Sequence, residues 1–491
     1  MALTKVKYSM IEGAVVNVLD YGADPTGTND STAAIQAALD LGVTIYMPEG
    51  TYKTTSTLVL QKGSKIIGAG NYSGIDTLTV YPTGMYKGTT VIKYDGVSGT
   101  DVAVIRVSAE PVGTEPLNVD TRNMINVGIQ NIVIDGNEKA GIGLYLVRAL
   151  MNNKFDYISV TNTTAHAFLV IMCFGGNVNN WIPFINKGAG ITIGRNVYGW
   201  LNYGVDQTQF NSCWAFRCGY NSSRVAQNAF SDATPDLEYG IGVYRGRELV
   251  FINAQSTYNG GVGIYCETDR WPIKFDNGYV EFNCQSSNAT TKWGIWFQGM
   301  AGQVSRHVIF DTFYLNGPTP STIDGIRLTG TEPSRAGEDA VIFNQFPLLT
   351  NITADWGNYR LVDCDSNVVI TGTLPYMISP VLNAHSTQKL QQDMSISGAT
   401  NFNVSGGAIA SSRLTGIIDS VTYVSTGVYR LNFNQTLDST GYTTIVTGSP
   451  NLILGMQNRT TTSVEITSVN IGGTPSDSGV VNVAIMGFWN L

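Results

Sequence analysis

Short apolar segments that contain a glycine near their start recur along the middle of the chain. Five of them read GIGLY (141–145), GIGVY (240–244), GVGIY (261–265), WGIWF (293–297) and DGIRL (324–328). In the last four, the aligned glycines Gly242, Gly263, Gly294 and Gly325 are 21, 31 and 31 residues apart. A strand-sized unit repeated about every 20–50 residues predicts a solenoid, in which each unit is stable only when stacked on its neighbours.

Longer strand-like runs surround these repeats and alternate with turns rich in asparagine and glycine. The runs are 125–134, 155–160, 250–255, 273–282 and 308–315. Asparagines recur after such runs, at Asn221, Asn259, Asn283 and Asn316. Because asparagine tolerates the left-handed backbone conformation and can hydrogen-bond a neighbouring turn, we expect these residues to stack at the corners of the solenoid.

The two ends of the chain have different patterns. Near the N-terminus, Asp30 or Ser31 can cap a helix over 31–39, which Gly42 ends, and strands are predicted at 43–48, 58–60 and 65–67. Residues 403–491 contain short alternating strands at 420–424, 428–433, 443–446, 463–468 and 480–488. Turns that recur every 8–12 residues or so predict an antiparallel sandwich there.

Composition narrows the class of protein. Of 491 residues, 43% are hydrophobic and only 13% are charged, and the chain has 54 glycines. This balance suits a β-rich protein with a polar, mostly uncharged surface. The net charge of −8 argues against a nucleic-acid partner. With no run of 18 apolar residues and no apolar leader at the start, we expect neither a membrane span nor a secretory signal.

Cysteine and histidine usage predicts neither a metal site nor a cofactor. None of the six cysteines forms a C-x-x-C pair, and most lie in apolar strand-like runs, as expected of small core residues in a protein made in the cytosol. The three histidines are scattered along the chain.

A long motif near the N-terminus resembles a known superfamily. Residues 18–30 match V-x-D-x-G-A-x-P-x-G-x-x-D, residues 32–38 match T-x-A-I-Q-x-A, and residues 48–52 match P-x-G-x-Y. This run resembles the opening of pectate-lyase-like right-handed parallel β-helices, in the version found in phage tailspikes. The resemblance implies that this part caps the helix, so Asp20, Asp24 and Asp30 are expected to be turn and cap residues.

The resemblance also implies an organisation and a biological setting. The expected fold is all-β, a right-handed parallel β-helix with an N-terminal cap and a C-terminal antiparallel β-sandwich. We divide the chain into an attachment segment (1–16), a cap (17–89), a substrate-binding β-helix (90–375), a connector (376–402) and a sandwich for trimerisation or carbohydrate binding (403–491). A tailspike is a homotrimer in the virion tail, assembled in the host cytoplasm and extracellular afterwards, which binds other tail proteins and bacterial capsular or surface polysaccharide.

The repeats predict a binding surface. Alternation in a strand places Val243, Ile264, Ile295 and Ile326 inward, and the next residues, Tyr244, Tyr265, Trp296 and Arg327, outward. Exposed aromatic residues generally mark a binding surface, and their faces can pack against sugar rings. Glu267 and Gln298 follow in the next outward column. The insertion at 221–239 would form one wall of this groove; alternatively, a loop or a neighbouring subunit covers the aromatic residues.

Carboxyl groups near this column are the candidate catalysts. Hydrolysis of a glycosidic bond uses two carboxyl groups. Glu267 and Asp269 lie two residues apart, on one face and about 7 Å from each other if the strand stays extended. Either could instead pair with Glu238, at the groove's edge. Arg270 and Trp271 could bind substrate, and Asp276, Glu281 and Asp311 are more distant candidates.

These residues leave several functions open. The polygalacturonase signatures N-T-D, D-D, G-H-G and R-I-K are absent, and no calcium-binding cluster of aspartates typical of pectate lyases is evident. We therefore favour a hydrolase over a lyase, in which Tyr244, Tyr265 or Arg327 could be the base. The alternatives are a receptor-binding spike without activity and a structural baseplate or fibre component.

Overall fold

The computed structural model divides the chain into two compact units, Met1–Leu382 and Asn383–Leu491. It describes residues 15–71, 89–107, 124, 126–149, 153–195, 204–231, 233–267, 272–287, 293–300, 308–316, 325–331, 340–346, 349, 351–362, 364, 369–372, 377–378, 396–405, 408–416, 418–433, 443–448, 452–458, 460–470, 474–475 and 479–486. The unit boundary lies inside the predicted connector. Of the predicted attachment segment, residues 1–14 lie outside the described residues.

The described residues of the first unit form strands, one 3₁₀ helix (Val18–Tyr21) and one α-helix, α1 (Thr32–Leu39). In chain order its strands are β1 (Val16–Asn17), β2 (Thr26–Asp30), β3 (Thr44–Met47), β4 (Gly50–Thr54), β5 (Leu58–Val59), β6 (Lys65–Gly68), β7 (Thr90–Tyr94), β8 (Gly99–Val107), β9 (Gly128–Asp135), β10 (Ala140–Val147), β11 (Lys154–Thr161), β12 (His166–Ile171), β13 (Phe174–Asn186), β14 (Ala189–Ile193), β15 (Val205–Asn211), β16 (Trp214–Cys218), β17 (Ile241–Val243), β18 (Gly246–Arg247), β19 (Leu249–Ile252), β20 (Gln255–Thr257), β21 (Ile264–Glu267), β22 (Ile273–Glu281), β23 (Trp293–Gly299), β24 (Val308–Asn316), β25 (Gly325–Gly330), β26 (Val341–Asn344), β27 (Asn351–Ala354), β28 (Tyr359–Val362), β29 (Val369–Gly372) and β30 (Met377–Ile378).

These strands form a right-handed parallel β-helix, as the sequence predicts. One face, sheet B, is entirely parallel, in the order β5-β8-β10-β12-β14-β17-β21-β23-β25-β27-β29. The remaining strands form sheet A, which bends so that a single strand can contribute to two faces. In β22, residues 273–276 pair with β19 and residues 279–281 pair with β20. The bend between these two halves lies at Asn277, which has φ of 53°.

Left-handed backbone at residues other than glycine produces this bend in successive rungs. The bend positions are Asn131, Tyr157, Asn180, Ser212, Asn253, Asn277, Thr312 and Gln345, with φ between 51° and 57°. Such φ values are uncommon outside glycine, although asparagine adopts them more readily than most residues. The sequence analysis did not predict these corners, because no single residue type marks them.

A stack of phenylalanine rings fills the core behind sheet A. Phe210, Phe251, Phe275, Phe310 and Phe343 occupy equivalent positions in successive rungs, with ring centroids 4.7, 4.5, 4.8 and 5.5 Å apart. The parallel register brings each ring onto the one below it. Five of the six cysteines are also buried, which confirms their prediction as core residues.

Two of the four predicted corner asparagines do stack. Asn259 and Asn283 are fully buried, and the Asn259 Nδ2 donates a hydrogen bond of 2.7 Å to the Asn283 Oδ1. Asn283 Nδ2 in turn donates to the carbonyl of Ser256 at 3.0 Å. Asn221 lies instead in the 221–239 insertion, where it accepts from the amide of Val225, and Asn316 ends β24. The prediction is thus correct for Asn259 and Asn283 and wrong for Asn221. Asn316 donates to Glu281 and Tyr279 of the neighbouring rung at 3.0 and 3.1 Å, but the residue paired with it is Glu281 and not an asparagine.

Replacing Asn283 with alanine is expected to destabilise the β-helix by about 1–3 kcal/mol, because it leaves buried amide groups of Asn259 without an acceptor. Thermal unfolding monitored by circular dichroism measures this loss. Asn221→Ala, outside the stack, is the control and should cause a smaller change. Equal unfolding temperatures for Asn283→Ala and the unmodified protein would show that the stack contributes no stability.

Aspartates of the N-terminal motif hold its turns and the start of its helix, as the resemblance implied. Asp30 accepts hydrogen bonds from the amide and hydroxyl of Thr32 at 3.0 and 2.6 Å, at the start of α1. Asp24 accepts from the amides of Thr26 and Asn29 at 2.9 and 2.7 Å, and these bonds lower the pKa of its carboxyl to about 2. Both aspartates are therefore turn and cap residues.

The second unit is an antiparallel sandwich. Its strands are β31 (Ile396–Ser405), β32 (Ala408–Gly416), β33 (Ile418–Ser425), β34 (Val428–Phe433), β35 (Thr443–Gly448), β36 (Leu452–Gln457), β37 (Ser463–Asn470) and β38 (Gly479–Met486). They form two four-stranded sheets, β32-β31-β38-β35 and β33-β34-β37-β36. Leu431 and Ile466 of one sheet and Val481 of the other share a buried cluster. The sequence analysis missed β31, β32 and β36.

Two classes of feature are absent from the part of the chain that the structure describes. None of its helices has the length and apolarity needed to cross a membrane. Among the same residues, no group of three or more histidine, cysteine, aspartate or glutamate side chains could hold a metal ion.

Candidate active site

The repeats of the sequence form neighbouring strands at the centre of sheet B. Ile264 pairs with Ile295, and Ile295 pairs with Ile326, so these three side chains stack inward as predicted. Tyr265 pairs with Trp296 in the adjacent outward column. Glu267 lies opposite Gln298 two residues further on.

The predicted register of the first aligned repeat is wrong by two residues. Gly242, not Tyr244, pairs with Tyr265, and Val243 pairs with Cys266. The physical reason is the ring of Tyr239, which a Cβ at Gly242 would approach to 2.3 Å. Tyr244 therefore lies beyond the end of β17.

The aromatic residues of this face are buried, which corrects the prediction that they face solvent. Tyr244 is 8% exposed, Tyr265 3% and Trp296 4%. They form one buried cluster with Phe230 and Tyr239, which belong to the 221–239 insertion. The insertion packs onto the aromatic column and does not stand beside it as a wall.

A buried carboxylate holds this insertion in place. Glu238 is 2% exposed, and it accepts hydrogen bonds from the amides of Ala229 and Phe230 at 2.9 and 3.1 Å. Burial raises the pKa of its carboxyl. The predicted position of Glu238 at the edge of a groove is therefore wrong: its carboxylate faces the interior of the insertion.

Charged groups meet at the boundary of the aromatic cluster, around the end of β21. The Tyr265 hydroxyl donates a hydrogen bond of 3.2 Å to Glu267 Oε1. Arg195 forms an ion pair with Asp236, with 2.7 Å between Nη2 and Oδ2. The Arg195 guanidinium carbon lies 5.0 Å from the ring centroid of Tyr244.

Electrostatic coupling joins Glu267 to this ion pair. Burial raises the pKa of the Glu267 carboxyl to about 7, and the negative charge of Asp236 also raises it. The hydrogen bond from Tyr265 and the positive charge of Arg195 act in the opposite direction but are outweighed. Glu267 thus retains its proton in a large fraction of molecules at neutral pH, as a general acid must.

Tyr265 and His166 are side chains of this region that are chemically able to act as a general base, but their pKa values make both poorly suited to that role. Burial, together with the nearby charge of Glu267, raises the pKa of the Tyr265 hydroxyl strongly. Burial and the charge of Arg195 lower the pKa of His166 to about 3, so its imidazole is neutral and weakly basic. His166 Nδ1 lies 2.8 Å from the hydroxyl of Thr192.

The remaining predicted residues are distributed differently. Arg327 lies next to Trp296 in the outward column, with 5.8 Å between its guanidinium carbon and the indole centroid, and pairs with Asp355 at 2.8 Å. Asp269, Arg270 and Trp271 lie outside the described residues. Asp276, Glu281 and Asp311 belong to sheet A, away from the Glu267 column.

The sequence analysis missed two members of the cluster, Asp236 and Arg195. Asp236 lies within the insertion, whose fold follows no repeat, so its position carried no signal. Arg195 lies two residues after the end of β14, the strand that pairs with β17. A search for charged residues at the ends of sheet B strands could have found Arg195.

The candidate site thus lies on the outer face of the parallel β-helix, near the C-terminal ends of stacked strands. The family of rhamnogalacturonase A/epimerase, pectate-lyase-like proteins matches residues 15–265, just over half of the chain. The protein belongs to this family, which confirms the superfamily indicated by the N-terminal motif.

Individual relatives share between 14% and 34% sequence identity with this chain over the matched residues. Mannuronan C5-epimerase AlgE1 of Azotobacter vinelandii is 27% identical over 230 residues, which cover 37% of this chain and 16% of the epimerase. Alginate lyase 7 of the same organism is 34% identical over 128 residues, 25% of this chain and 13% of the lyase. The chain thus spans less than a fifth of these relatives. Among solved structures, ORF18 of Geobacillus virus E2 covers 97% of this chain and 80% of its own, with 14% identity and a TM-score of 0.39.

Proposed function

We propose that the protein is an enzyme that cleaves polysaccharide chains, with Glu267, Asp236 and Arg195 at its active centre. The observation that carries this proposal is a half-buried carboxyl group with a pKa of about 7 beside a second carboxyl group held by an arginine. Glycoside hydrolysis uses such a pair, one carboxyl as acid and one as base or nucleophile. Family membership and relatives named as an epimerase and a lyase of uronate polymers support a polysaccharide substrate.

Each residue has a distinct role in this proposal. Glu267 donates its proton to the glycosidic oxygen as the bond breaks. Asp236 activates water or attacks the sugar, while Arg195 orients its carboxylate. Gln298, opposite Glu267 in the strand register, hydrogen-bonds sugar hydroxyls. Asp269, the partner carboxylate favoured by the sequence, and Arg270 and Trp271 as binding residues remain predictions.

The second candidate reaction is β-elimination or epimerisation at a uronate, which the names of the relatives favour. Both reactions need a base that removes a proton from the sugar ring. The high pKa of Tyr265 and the low pKa of His166 make these side chains poor bases, and Arg195 is engaged by Asp236. We therefore prefer hydrolysis.

The biological setting is proposed on the N-terminal motif. We infer a homotrimeric phage tailspike that binds and degrades bacterial capsular polysaccharide and attaches to other tail proteins. Light scattering on the purified protein tests the trimer, and adsorption to encapsulated and capsule-free cells of one strain tests the receptor.

Product analysis distinguishes the proposed reactions. The purified protein is incubated with bacterial capsular polysaccharides, with alginate as the uronate comparison. Hydrolysis releases reducing ends without ultraviolet absorbance, elimination releases both, and epimerisation changes the sugar composition without new ends. A tailspike that binds capsule but releases neither product would contradict an enzymatic function and favour a receptor-binding spike.

Activity is expected to fall as pH rises through about 7, because Glu267 must be protonated to donate. Well above that pH, kcat/KM should decrease about tenfold per pH unit, following the protonated fraction. Rates of reducing-end release across neutral pH, at constant ionic strength, provide the test. A rate that instead increases through pH 7 would indicate that Glu267 acts as a base.

A further inference from the structure

A second outward column with aromatic residues lies on sheet A, on a different face from Glu267. The register aligns Trp214 with Gln255, Gln255 with Tyr279, and Tyr279 with Tyr314. The residues that follow these four, Ala215, Ser256, Val280 and Leu315, are all completely buried. Because side chains alternate along a strand, the four members of the column must point away from the core.

This column, unlike the one on sheet B, is open to solvent. Tyr314 is 45% exposed, whereas Tyr265 and Trp296 on sheet B are 3% and 4% exposed. Trp214, Gln255 and Tyr279 are half-buried. Tyr279 is also held in position, because its hydroxyl accepts a hydrogen bond of 3.1 Å from Asn316. The column therefore presents fixed and accessible aromatic surface.

A cleft of about 420 Å³ follows this column, and its polar lining is uncharged. Tyr279 and Tyr314 line one side, and Ser212, Asn253 and Asn277 line the corner of the β-helix. These three corner residues have φ of 51°, 54° and 53°, so one short polar side chain per rung is placed at the same edge. The volume is within the range of about 300–1,000 Å³ usual for small-ligand sites.

The polar groups of the cleft have unused hydrogen-bonding capacity. The Gln255 side-chain amide and the Tyr314 hydroxyl have no hydrogen-bond partner among the described residues. Asn277 donates to Asn253 through Nδ2, a hydrogen bond that uses neither the Asn253 Nδ2 nor the Asn277 Oδ1. An amide group both donates and accepts, which matches the hydroxyl groups of a sugar.

We propose that this cleft is a second, non-catalytic binding site for neutral saccharide units. The tyrosine faces pack on the apolar faces of sugar rings, and the amides bind the hydroxyls. No lysine or arginine is among the residues that line the cleft, so a uronate or phosphate would lack a counter-charge. Successive rungs about 4.8 Å apart suit a chain that lies along the helix axis. The inference concerns binding alone and holds whether or not Glu267 is catalytic.

The test measures binding to the full-length Glu267→Gln protein, so that the probes stay intact. The probes are hexasaccharides of glucose, mannose and galactose, with an oligogalacturonate as the acidic comparison, followed by saturation-transfer NMR and calorimetry. We expect at least one neutral probe to bind, and Tyr314→Ala to weaken that binding at least tenfold without lowering the unfolding temperature. Tyr157→Ala, which removes a tyrosine that is 49% exposed at the same bend but two rungs from Ser212 and outside the cleft, should have no effect.

Three results would overturn the proposal. The first is that no neutral probe binds, and the second is that Tyr314→Ala binds every probe as tightly as its parent. The third is that Tyr314→Ala changes the mass of the protein in solution without changing saccharide binding, which would show this face to be an interface between copies of the chain. A binding defect caused by Tyr314→Ala, together with full cleavage by a Tyr314→Ala protein in which Glu267 is intact, separates this site from the Glu267 site.

Discussion

Replacing Glu267 with glutamine is expected to reduce kcat for polysaccharide cleavage by about a hundred- to ten-thousand-fold, the usual contribution of a general acid. Glutamine has nearly the same shape and can still contact the Tyr265 hydroxyl, but it has no proton to donate to a glycosidic oxygen. Reducing-end release under saturating substrate measures the effect. The residual activity should also lose the decrease above pH 7.

Two controls make this result specific. Asp311→Asn removes a carboxylate that the sequence also suggested but that lies on sheet A, where it pairs with Lys274 at 3.2 Å. It should retain full activity. Asp236→Asn, as a single variant, should lose activity as Glu267→Gln does. If Glu267→Gln cleaves at the wild-type rate, the catalytic assignment is wrong, whatever the other variants show.

Replacing Trp296 with alanine is expected to cost about 3–5 kcal/mol of stability, because a large buried ring is lost from a packed cluster. Trp296 is 4% exposed and its indole packs edge-on against Trp293, with centroids 6.1 Å apart. The insertion that carries Phe230 and Asp236 packs on the same cluster, so activity should fall as well. The midpoint of thermal unfolding measures the loss.

A matched variant separates packing from substrate contact. The Trp296 Nε1 has no hydrogen-bond partner among the described residues, so Trp296→Phe removes volume but no hydrogen bond. It should cost much less stability than Trp296→Ala. An unchanged unfolding temperature in Trp296→Ala, combined with weaker oligosaccharide binding, would instead support the exposed sugar platform that the sequence predicts.

Local sequence patterns predicted the elements that local physics determines. The helix start near Asp30 follows from the local sequence, and the long motif indicates the superfamily; the structure confirms the first and the family match the second. The inward stack of Ile264, Ile295 and Ile326 follows from alternation along strands. These features depend on neighbours within one strand or one turn, so a single sequence contains the information.

Features that depend on contacts between distant residues were not predictable in the same way. The register at Gly242 is determined by the Tyr239 ring, which comes from the insertion. The insertion covers Tyr265 because its own Phe230 and Tyr239 belong to the same buried aromatic cluster as Tyr265. The alternation of side chains along a strand predicts that Tyr265 points away from the core. Whether it is then exposed to solvent depends on the fold of residues 221–239, which cover it.

The candidate site combines both kinds of information. Glu267 ends a repeat strand, which makes it a candidate from the sequence alone, and it lies within the charged cluster. Its coupling to Asp236 and Arg195 depends on an insertion and a strand end that no repeat relates. The aromatic column accessible to solvent occurs on sheet A, where Trp214, Tyr279 and Tyr314 are far apart in sequence and share no motif.

A crystal structure of Glu267→Gln with a bound oligosaccharide of the cleaved polymer tests the central claim most directly. We predict sugar units on both sides of residue 267, with a glycosidic oxygen within hydrogen-bond distance of its side chain and Asp236 on the opposite side of the sugar. An oligosaccharide bound only elsewhere on the β-helix, with residue 267 out of contact, would contradict the assignment of this site.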